Sequence, residues 1–312
     1  MTVIPNRESA YKVVESAIET VGGVQTHYWE YVPDNPIGDV VVYVGGGWPV
    51  DSTWLSDIYE GLVAAGVPVV RYDMRGTGAS GRPWRLKRYS MPEHARELDA
   101  VIDATAAGRK VVLLGEAWGV FMGAEHAHMF PGKIDTLYSV GVPSVDMAFS
   151  ALRRSTRRAF RQGSGRIRAV RQWAFLWYWY LTALPVLPEL VFATGLPSAG
   201  IGRMLTQGDR RYGRPHAEPF HITRSDVHKG SLKYRWFVRH RMFTPAYDAL
   251  PVAHVYLFQP DGDNMSGPLL LDGLAERTPD LHITHLDGNH TNFRYGEPGA
   301  AIQKQILATI TG

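Results

Sequence analysis

The 312-residue sequence predicts an α/β fold in which a mostly parallel central sheet is covered by helices on both faces. Short apolar runs, typical of buried strands, alternate with stretches of roughly 10–15 residues that have helical periodicity. A long stretch rich in arginine and aromatic residues interrupts this alternation once. These observations together predict one large α/β domain that carries a helical insertion.

The predicted elements follow one another along the chain. Strands are predicted at 24–32, 39–50, 67–73, 110–115, 134–143, 252–263 and 281–290, and helices at 52–66, 91–108, 120–130 and 298–310. Residues 145–250 break the rhythm, so we expect them to form a helical cap inserted into a core domain of residues 1–144 and 251–312. Because open α/β sheets build their sites beyond the carboxyl ends of the strands, such a cap would cover the site.

Composition excludes several classes of function. Apolar residues make up 45% and charged residues 20% of the chain, which is typical of a globular protein. The net charge of +3 is too small to indicate a nucleic-acid partner, and the absence of cysteine excludes disulfides and thiolate chemistry. We see no signal peptide and no apolar run long enough for a spanning helix, so we expect a cytoplasmic location.

A strand-turn-helix motif lies at residues 111–120, "VVLLGEAWGV". The G-x-Nu-x-G spacing of Gly115 and Gly119 is typical of a nucleophile elbow, in which a strained turn presents Ser, Asp or Cys. Ala117 occupies the tip, and a methyl group cannot attack a substrate. The pattern therefore predicts a nucleophile position that lacks its nucleophile.

An acid and a histidine follow the elbow in the order that hydrolases use. One predicted strand ends in "QPDGDN", which offers Asp261 and Asp263, and a later one ends in "DGNH", which offers His290. A nucleophile, then an acid, then a histidine is a known catalytic chain order. We expect Asp263 and His290 to meet, because the carboxylate must orient the imidazole and stabilise its charged form.

Backbone donors for a developing negative charge are predicted on two loops. The glycine-rich "VGGGWPVDSTW" (44–54) follows a strand where an oxyanion loop belongs, so Gly47 and the N–H group of Trp48 are candidates. The N–H group of Trp118 at the elbow is the second donor. The loop "RYDMRGTGASGRP" (71–83) is interpreted as a structural turn and is not a P-loop, because no GK[ST] follows its glycines.

These motifs resemble the α/β-hydrolase superfamily, and within it the epoxide-hydrolase and haloalkane-dehalogenase branch, over residues 24–310. "YDMRGTGAS" resembles the branch's D-x-R-G-x-G-x-S loop, "GEAWG" its G-H-D-W-G elbow, and "GGWP" (46–49) its H-G-x-P oxyanion motif. The resemblance implies an α/β-hydrolase fold with an inserted cap. It also implies a nucleophilic Asp at the position of Ala117, Asp263 as the acid, and His290 as the base that activates water.

The cap adds two further matches. Epoxide hydrolases carry two cap tyrosines that protonate the epoxide oxygen as the ring opens. "FLWYWYLTALPVLPEL" resembles the first tyrosine segment and "GSLKYR" the second, which implies Tyr178 and Tyr234 in these roles, with Tyr180 as an alternative to Tyr178. A phenol with a pKa of about 10 remains protonated at neutral pH and can donate to a forming alkoxide.

The departures from the branch leave two explanations open. Gly46 and Glu116 replace histidines, and Ala117 replaces the aspartate. In the first explanation the chain is an inactivated form of a hydrolase with Asp or Ser at the tip, and "G-E-S-W-G" would be an ordinary serine-esterase elbow. In the second, Ala117 is native, and Asp263 and His290 act as a base on water or on a substrate hydroxyl.

Three hypotheses for function follow. The first is an epoxide-hydrolase-like or esterase-like enzyme acting on a bulky hydrophobic small molecule. The second is a non-hydrolytic cyclase, lyase or isomerase that uses the Asp263–His290 pair, and the third is a ligand-binding protein that has lost catalysis. Only the two enzymes require His290 for their activity.

The partners expected from the cap are weighed in the same way. Residues 151–180 contain eight arginines and a run of aromatic residues. They predict either a solvated helical face or a surface that contacts anionic lipid or an acidic partner. We expect no cofactor and no metal, since His126 and His128 lie two residues apart and therefore face different sides of a helix.

Overall fold

The computed structural model of the chain describes residues 2–4, 10–45, 50–196, 199, 223–263 and 265–311. The strands are β1 (Thr2–Ile4), β2 (Tyr11–Thr20), β3 (Val24–Pro33), β4 (Val40–Gly45), β5 (Val69–Tyr72), β6 (Lys110–Glu116), β7 (Thr136–Val140), β8 (His254–Pro260) and β9 (Leu281–Leu286). The core helices are α1 (Ser56–Ala64), α2 (Met91–Thr105), α3 (Trp118–Met129), α10 (Pro268–Leu271) and α11 (Gly296–Thr311), and the helices between β7 and β8 are α4 (Val145–Gln162), α5 (Arg166–Phe175), α6 (Trp177–Ala183), α7 (Leu187–Ala193), α8 (Arg224–Gly230) and α9 (Leu232–His240).

The described strands form one nine-stranded sheet in the order β1-β2-β3-β5-β4-β6-β7-β8-β9. β5, β4, β6, β7, β8 and β9 pair in parallel, whereas β1, β2 and β3 pair antiparallel and join the parallel part through β3 and β5. The predicted mostly parallel α/β sheet is therefore confirmed. Because these strands run in the same direction, the carboxyl ends of β4, β6 and β8 lie at one edge of the sheet.

The sequence analysis predicted β3 but missed β1 and β2, and β2 forms the N-terminal hairpin with β3. β2 and β3 pair over ten residues each, and Gly22 and Gly23 form the turn with φ of 83° and 72°. Short hairpin turns commonly include residues with positive φ, and glycine adopts this conformation without strain. The glycine pair was therefore the available signal for β2.

Alternating side chains of the central strands fill two apolar layers. In β6, Val111 and Leu113 face the layer that contains α2 and α3, while Val112 and Leu114 face the layer that contains α1 and α11. Each of these four side chains is buried. Helices on both faces explain why the strand is apolar throughout rather than alternating with polar residues.

The helices α4 to α9 occupy the stretch predicted to form the cap. α4 begins at a capping serine, Ser144, and ends at Gly163, whose φ is 76°. Arg241, just after α9, ties this region to the core through a bidentate contact with Glu125 on α3 and a contact of 3.1 Å with Asp146. No helix formed by the described residues is long and apolar enough to cross a membrane.

Candidate active site

The turn between β6 and α3 has the backbone of a nucleophile elbow. Ala117 at its tip has φ 47° and ψ −117°, a conformation that residues with a Cβ rarely adopt. A Cβ on Gly119 would lie 2.1 Å from the carbonyl oxygen of Gly45, and a Cβ on Gly115 would lie 2.6 Å from the nitrogen of Val120. The strand and the helix can therefore pack this closely only with glycine on either side of the tip.

Asp263 and His290 lie together beyond the carboxyl ends of β8 and β9. The Nδ1 atom of His290 is 3.1 Å from Oδ2 of Asp263. The other carboxylate oxygen, Oδ1, accepts hydrogen bonds from the backbone N–H groups of Met265 at 2.7 Å and Ser266 at 3.2 Å. Burial alone would raise the pKa of Asp263, but the nearby His290 and these backbone donors hold it below its ordinary value. The geometry is that of a catalytic acid that orients a histidine.

The second ring nitrogen of His290 faces the elbow. Its Nε2 atom lies 3.3 Å from Oε1 of Glu116, the residue that directly precedes the tip. Glu116 is only 5% exposed, and its Oε1 makes no hydrogen bond with any described residue. Burial raises the pKa of Glu116 to about 7, although His290 acts in the opposite direction. A carboxyl with this pKa exchanges a proton near neutral pH.

His290 is therefore held between two carboxylates. Burial alone would lower its pKa, but the charges of Asp263 and Glu116 raise it to about 9. Its side chain remains 32% exposed, so solvent or a substrate can reach it. The sequence analysis noted Glu116 only as a replacement at the elbow, because spacing along the chain does not show which way its side chain turns.

Lys233 is a buried charged group that the sequence analysis did not identify. It precedes Tyr234 on α9, is 1% exposed, and its Nζ makes no hydrogen bond within the described part of the chain. The ammonium lies 5.6 Å from the centre of the Trp118 ring. Burial lowers the pKa of Lys233 to about 7, against the raising effect of Glu97 and Glu116. A lone lysine among apolar and aromatic residues was the only signal for it in the sequence.

The two candidate tyrosines lie beside the elbow within one aromatic cluster. The ring of Tyr234 packs edge-on against Trp118 at 4.7 Å and against Tyr178 at 5.8 Å, and Trp118 stacks on Trp179 at 5.6 Å. Burial raises the pKa of both tyrosines, so both phenols remain protonated. The negative charges of Asp263 and Glu116 raise the pKa of Tyr178 further, so this tyrosine interacts electrostatically with both carboxylates.

The candidate oxyanion donors are described only in part. Trp118 is the first residue of α3, where backbone N–H groups have no partner within the helix, and its role as an oxyanion donor stays a prediction. Gly47 and Trp48 lie outside the described residues. β4 ends at Gly45, whose backbone touches Gly119, so the loop that contains them starts beside the elbow.

The loop after β5 has the structural role predicted for it. Oδ1 of Asp73 accepts from the backbone N–H of Ser52 at 3.0 Å and from its hydroxyl at 2.6 Å, and Oδ2 accepts from the N–H of Ala79 at 2.8 Å. Arg75 is fully buried and contacts Glu93 and Glu97. These contacts fix the loop against its neighbours and leave no group of Asp73 free for chemistry.

His126 and His128 also have structural contacts. Nε2 of His126 lies 3.0 Å from Asp99, and Nε2 of His128 lies 2.9 Å from the carbonyl oxygen of Ala249. The two rings point to different neighbours, as their spacing predicts. Among the residues that the structure describes, no group of three or more histidine, aspartate or glutamate side chains is arranged to hold a metal ion.

Comparison with known proteins gives one family and several relatives. A family model described as the alpha/beta hydrolase fold matches residues 40–294. The chain is 35% identical over 176 residues to a protein of Mycobacterium tuberculosis strain H37Rv named "Probable oxidoreductase EphD", which covers 55% of this chain and 29% of that protein. It is 31% identical over 124 residues to "Rhodomycin D methylesterase DnrP" of Streptomyces peucetius, covering 39% of this chain and 41% of that protein. The chain thus matches less than half the length of either relative.

A solved structure shares the fold over nearly the whole chain. The crystal structure of epoxide hydrolase A from Mycobacterium thermoresistibile matches with a TM-score of 0.71 and 20% identity, covering 96% of this chain and 98% of that one. At this identity the match concerns the fold. It agrees with the α/β-hydrolase fold predicted from the sequence.

Proposed function

Because the chain belongs to the alpha/beta hydrolase fold family, we propose that it is an epoxide-hydrolase-like or esterase-like enzyme for a bulky hydrophobic small molecule. Asp263 and His290 are its acid–base pair. The observation that carries this proposal is the orientation of His290, whose Nδ1 is held by Asp263 while Nε2 faces the elbow. A ligand-binding protein would have no need for an imidazole oriented in this way.

The backbone of the elbow favours hydrolysis with a nucleophile at position 117. Ala117 retains φ 47° and ψ −117°, which costs on the order of 1–3 kcal/mol at a residue with a Cβ. A methyl group gains nothing from this conformation, whereas a nucleophile elbow uses such a strained turn to present its reactive side chain. The strained turn therefore supports a hydrolase whose reactive atom has been removed.

The contact between Glu116 and His290 favours the second candidate, which is acid–base chemistry without a covalent intermediate. The Glu116 carboxylate lies 3.3 Å from Nε2, the ring nitrogen that does not contact Asp263. With Asp263 and Glu116 on either side of it, the imidazole can accept a proton from water or from a substrate hydroxyl and donate it to a different substrate atom. Such chemistry suits ring closure, elimination or isomerisation.

The aromatic cluster supports a hydrophobic substrate under the cap. Tyr178 and Tyr234 contact each other beside Trp118, so two protonated phenols lie next to the elbow. In a ring-opening reaction they would donate to the alkoxide as it forms. The relative named as a methylesterase makes methyl esters a suitable second class of test substrates.

The test is turnover by the chain as it stands and by Ala117→Asp and Ala117→Ser, with lipophilic epoxides, aryl esters and methyl esters. Removing a catalytic nucleophile typically costs on the order of a million-fold in rate and leaves roughly a thousand-fold over water. We therefore expect Ala117→Asp to open epoxides, or Ala117→Ser to cleave esters, roughly a thousand-fold or more faster than the unaltered chain.

His290→Gln is the matched control, and it is made in the unaltered chain and in both Ala117 variants. Glutamine is polar but cannot accept and release a proton as the imidazole does. It should abolish the turnover that the altered tip restores. Inert variants together with a His290-dependent rearrangement of a substrate would favour the non-covalent candidate. Tight ligand binding that His290→Gln leaves unchanged, with no turnover by any variant, would make the chain a binding protein.

A further inference from the structure

The outer part of the cap has an unusual charge. From residue 147 to residue 188 the sequence contains eight arginines, no lysine and no acidic residue. Most of these arginines lie on α4 and α5, which are joined by the short Gly163–Gly165 connection and pack against each other. Positive charge is therefore concentrated on one helical hairpin rather than spread over the protein.

The arginines of α4 form a continuous stripe. Arg154, Arg157, Arg158 and Arg161 recur at the spacing of one helix face and line a surface groove of ≈ 500 Å³. Arg154 and Arg158 contact Asp272 of the core at 2.9 and 2.7 Å. Arg157 and Arg161 are exposed, and no described residue forms an ion pair with either of them.

The outer face of α5 combines apolar exposure with flanking charge. Ile167 is 79% exposed and Val170 is 55% exposed, and the opposite face of the helix buries Ala169 and Gln172. Trp177, at the start of α6, is 63% exposed. Arg166, Arg168 and Arg171 are exposed on the same helix beside this apolar strip. An apolar strip with arginines beside it is typical of a helix that lies at a lipid–water interface.

Exposed apolar side chains elsewhere do not form such a surface. Among the described residues, thirteen large hydrophobic side chains are strongly exposed, and ten of them lie between Phe160 and Leu196. The remaining three, Trp84, Phe243 and Ile283, are far apart in the chain. Single exposed apolar residues need no explanation, whereas a concentration of them marks a contact surface.

We infer that this surface, which we call the cap face (Arg157, Arg161, Ile167, Val170 and Trp177), docks on an anionic lipid bilayer. The charge decides the partner: exposed arginines attract anionic headgroups, and the apolar side chains between them enter the boundary with the acyl chains. The tryptophan suits the same boundary, because its ring is apolar and its N–H remains near water. This inference does not depend on the proposed chemistry.

The test is co-sedimentation of the full chain with vesicles of phosphatidylcholine alone and with vesicles that contain about 30% phosphatidylglycerol. We expect binding to the anionic vesicles, little binding to the neutral ones, and a marked loss in about 0.5 M salt, where surface charges are screened. Arg157→Glu with Arg161→Glu should weaken binding more than roughly tenfold. Ile167→Ser with Trp177→Ser should weaken it while leaving the charge unchanged.

Matched control variants separate the cap face from general effects of charge and exposure. Arg85→Glu with Arg96→Glu makes the same change in net charge at two exposed arginines of the core. Trp84→Ser removes a tryptophan that is 86% exposed outside the cap. Both controls should bind as the unaltered chain does, and circular dichroism and thermal unfolding confirm that each variant is folded.

Three results would overturn the inference. One is equal binding to neutral and anionic vesicles, and another is an equal loss of binding in the control and cap-face variants. The third is no vesicle binding together with salt-sensitive binding to polyglutamate, which would assign the face to an acidic polypeptide instead.

Discussion

Asp73 and Glu116 are two buried carboxylates at the carboxyl edge of the same parallel sheet, and their surroundings differ. Asp73, just after β5, is 2% exposed and receives three hydrogen bonds, from the N–H and hydroxyl of Ser52 and the N–H of Ala79. Glu116, at the end of β6, is 5% exposed, and among the described residues its Oε1 contacts His290 at 3.3 Å and accepts no hydrogen bond. Burial raises the pKa of both carboxyls.

The difference shows how to separate a structural carboxylate from one that can exchange protons. A carboxylate whose oxygens are occupied by fixed donors holds a loop in place and has no capacity left for a substrate. A buried carboxyl that lies beside a titratable imidazole responds to every change in that imidazole's charge. The predictions below test this contrast.

The largest expected effect is the loss of stability when Asp73, the structural carboxylate, is replaced. Asp73→Asn should lower the free energy of unfolding by about 3 kcal/mol. The asparagine NH2 group would replace one carboxylate oxygen and would then face a hydrogen-bond donor of Ser52 or Ala79 instead of accepting from it. Urea unfolding measures the loss. Asp103→Asn is the control, since its side chain is 62% exposed and its pairing with Lys133 is a surface contact that contributes little. An Asp73 variant as stable as this control would show that the hydrogen bonds around Asp73 do not hold the loop.

Glu116→Gln should instead change the titration of His290. Removing one of two nearby negative charges should lower the pKa of His290 from about 9 by about one unit. Histidine-ring NMR signals followed against pH measure the pKa directly and need no substrate. Glu276→Gln, at a side chain that is 79% exposed, should leave it unchanged. An unchanged pKa in Glu116→Gln would mean that the Glu116 carboxylate does not act on the imidazole.

The same pKa gives the pH window of the stability that His290 contributes. Its value in the folded chain, about 9, lies above the ordinary 6.5, so folding favours the protonated ring. That contribution is fully present below about pH 6.5 and is lost as the pH rises through about 9. In Glu116→Gln the stabilisation by His290 should be lost at a lower pH than in the unaltered chain. Unfolding curves measured at several pH values between about 6.5 and about 9 give the comparison.

The smallest effect concerns the tip of the elbow. Ala117→Gly should raise the free energy of unfolding by about 1 kcal/mol, because glycine adopts φ 47° and ψ −117° without strain. This gain is the strain relieved, less the cost of the greater conformational freedom that glycine gives the unfolded chain. Ala127→Gly, inside α3 at ordinary helical geometry, should lower it by about 1 kcal/mol. Urea unfolding of both variants gives the comparison. If the two variants lose stability equally, the elbow is not strained.

The sequence predicted the sheet from short apolar runs, and it predicted the elbow and the contact between Asp263 and His290 because these motifs follow β6, β8 and β9, which keep their chain order across the sheet. It did not place Glu116 against His290. The two residues are far apart in the sequence, and the direction of the Glu116 side chain is set by the turn at Ala117 rather than by spacing.

Lys233 and β2 were missed for different reasons. Lys233 is buried because α9 packs its side chain against Trp118, and that packing depends on how the cap meets the core. β2 was missed although Gly22 and Gly23 mark the hairpin, because only Val14 and Thr20 of its ten residues are buried and its apolar alternation is weak. The roles of Tyr178 and Tyr234 and the bounds of the cap remain predictions.

The close contact between Gly45 and Gly119 has an evolutionary consequence. Because these glycines and Gly115 already hold the tip in its strained form, a nucleophile can be gained or lost at position 117 without rebuilding the backbone. Every alanine codon becomes a serine codon by a single-nucleotide change. Under the proposed function, one mutational step would therefore add or remove the nucleophile of this elbow, and the step could be reversed for as long as the glycines are kept.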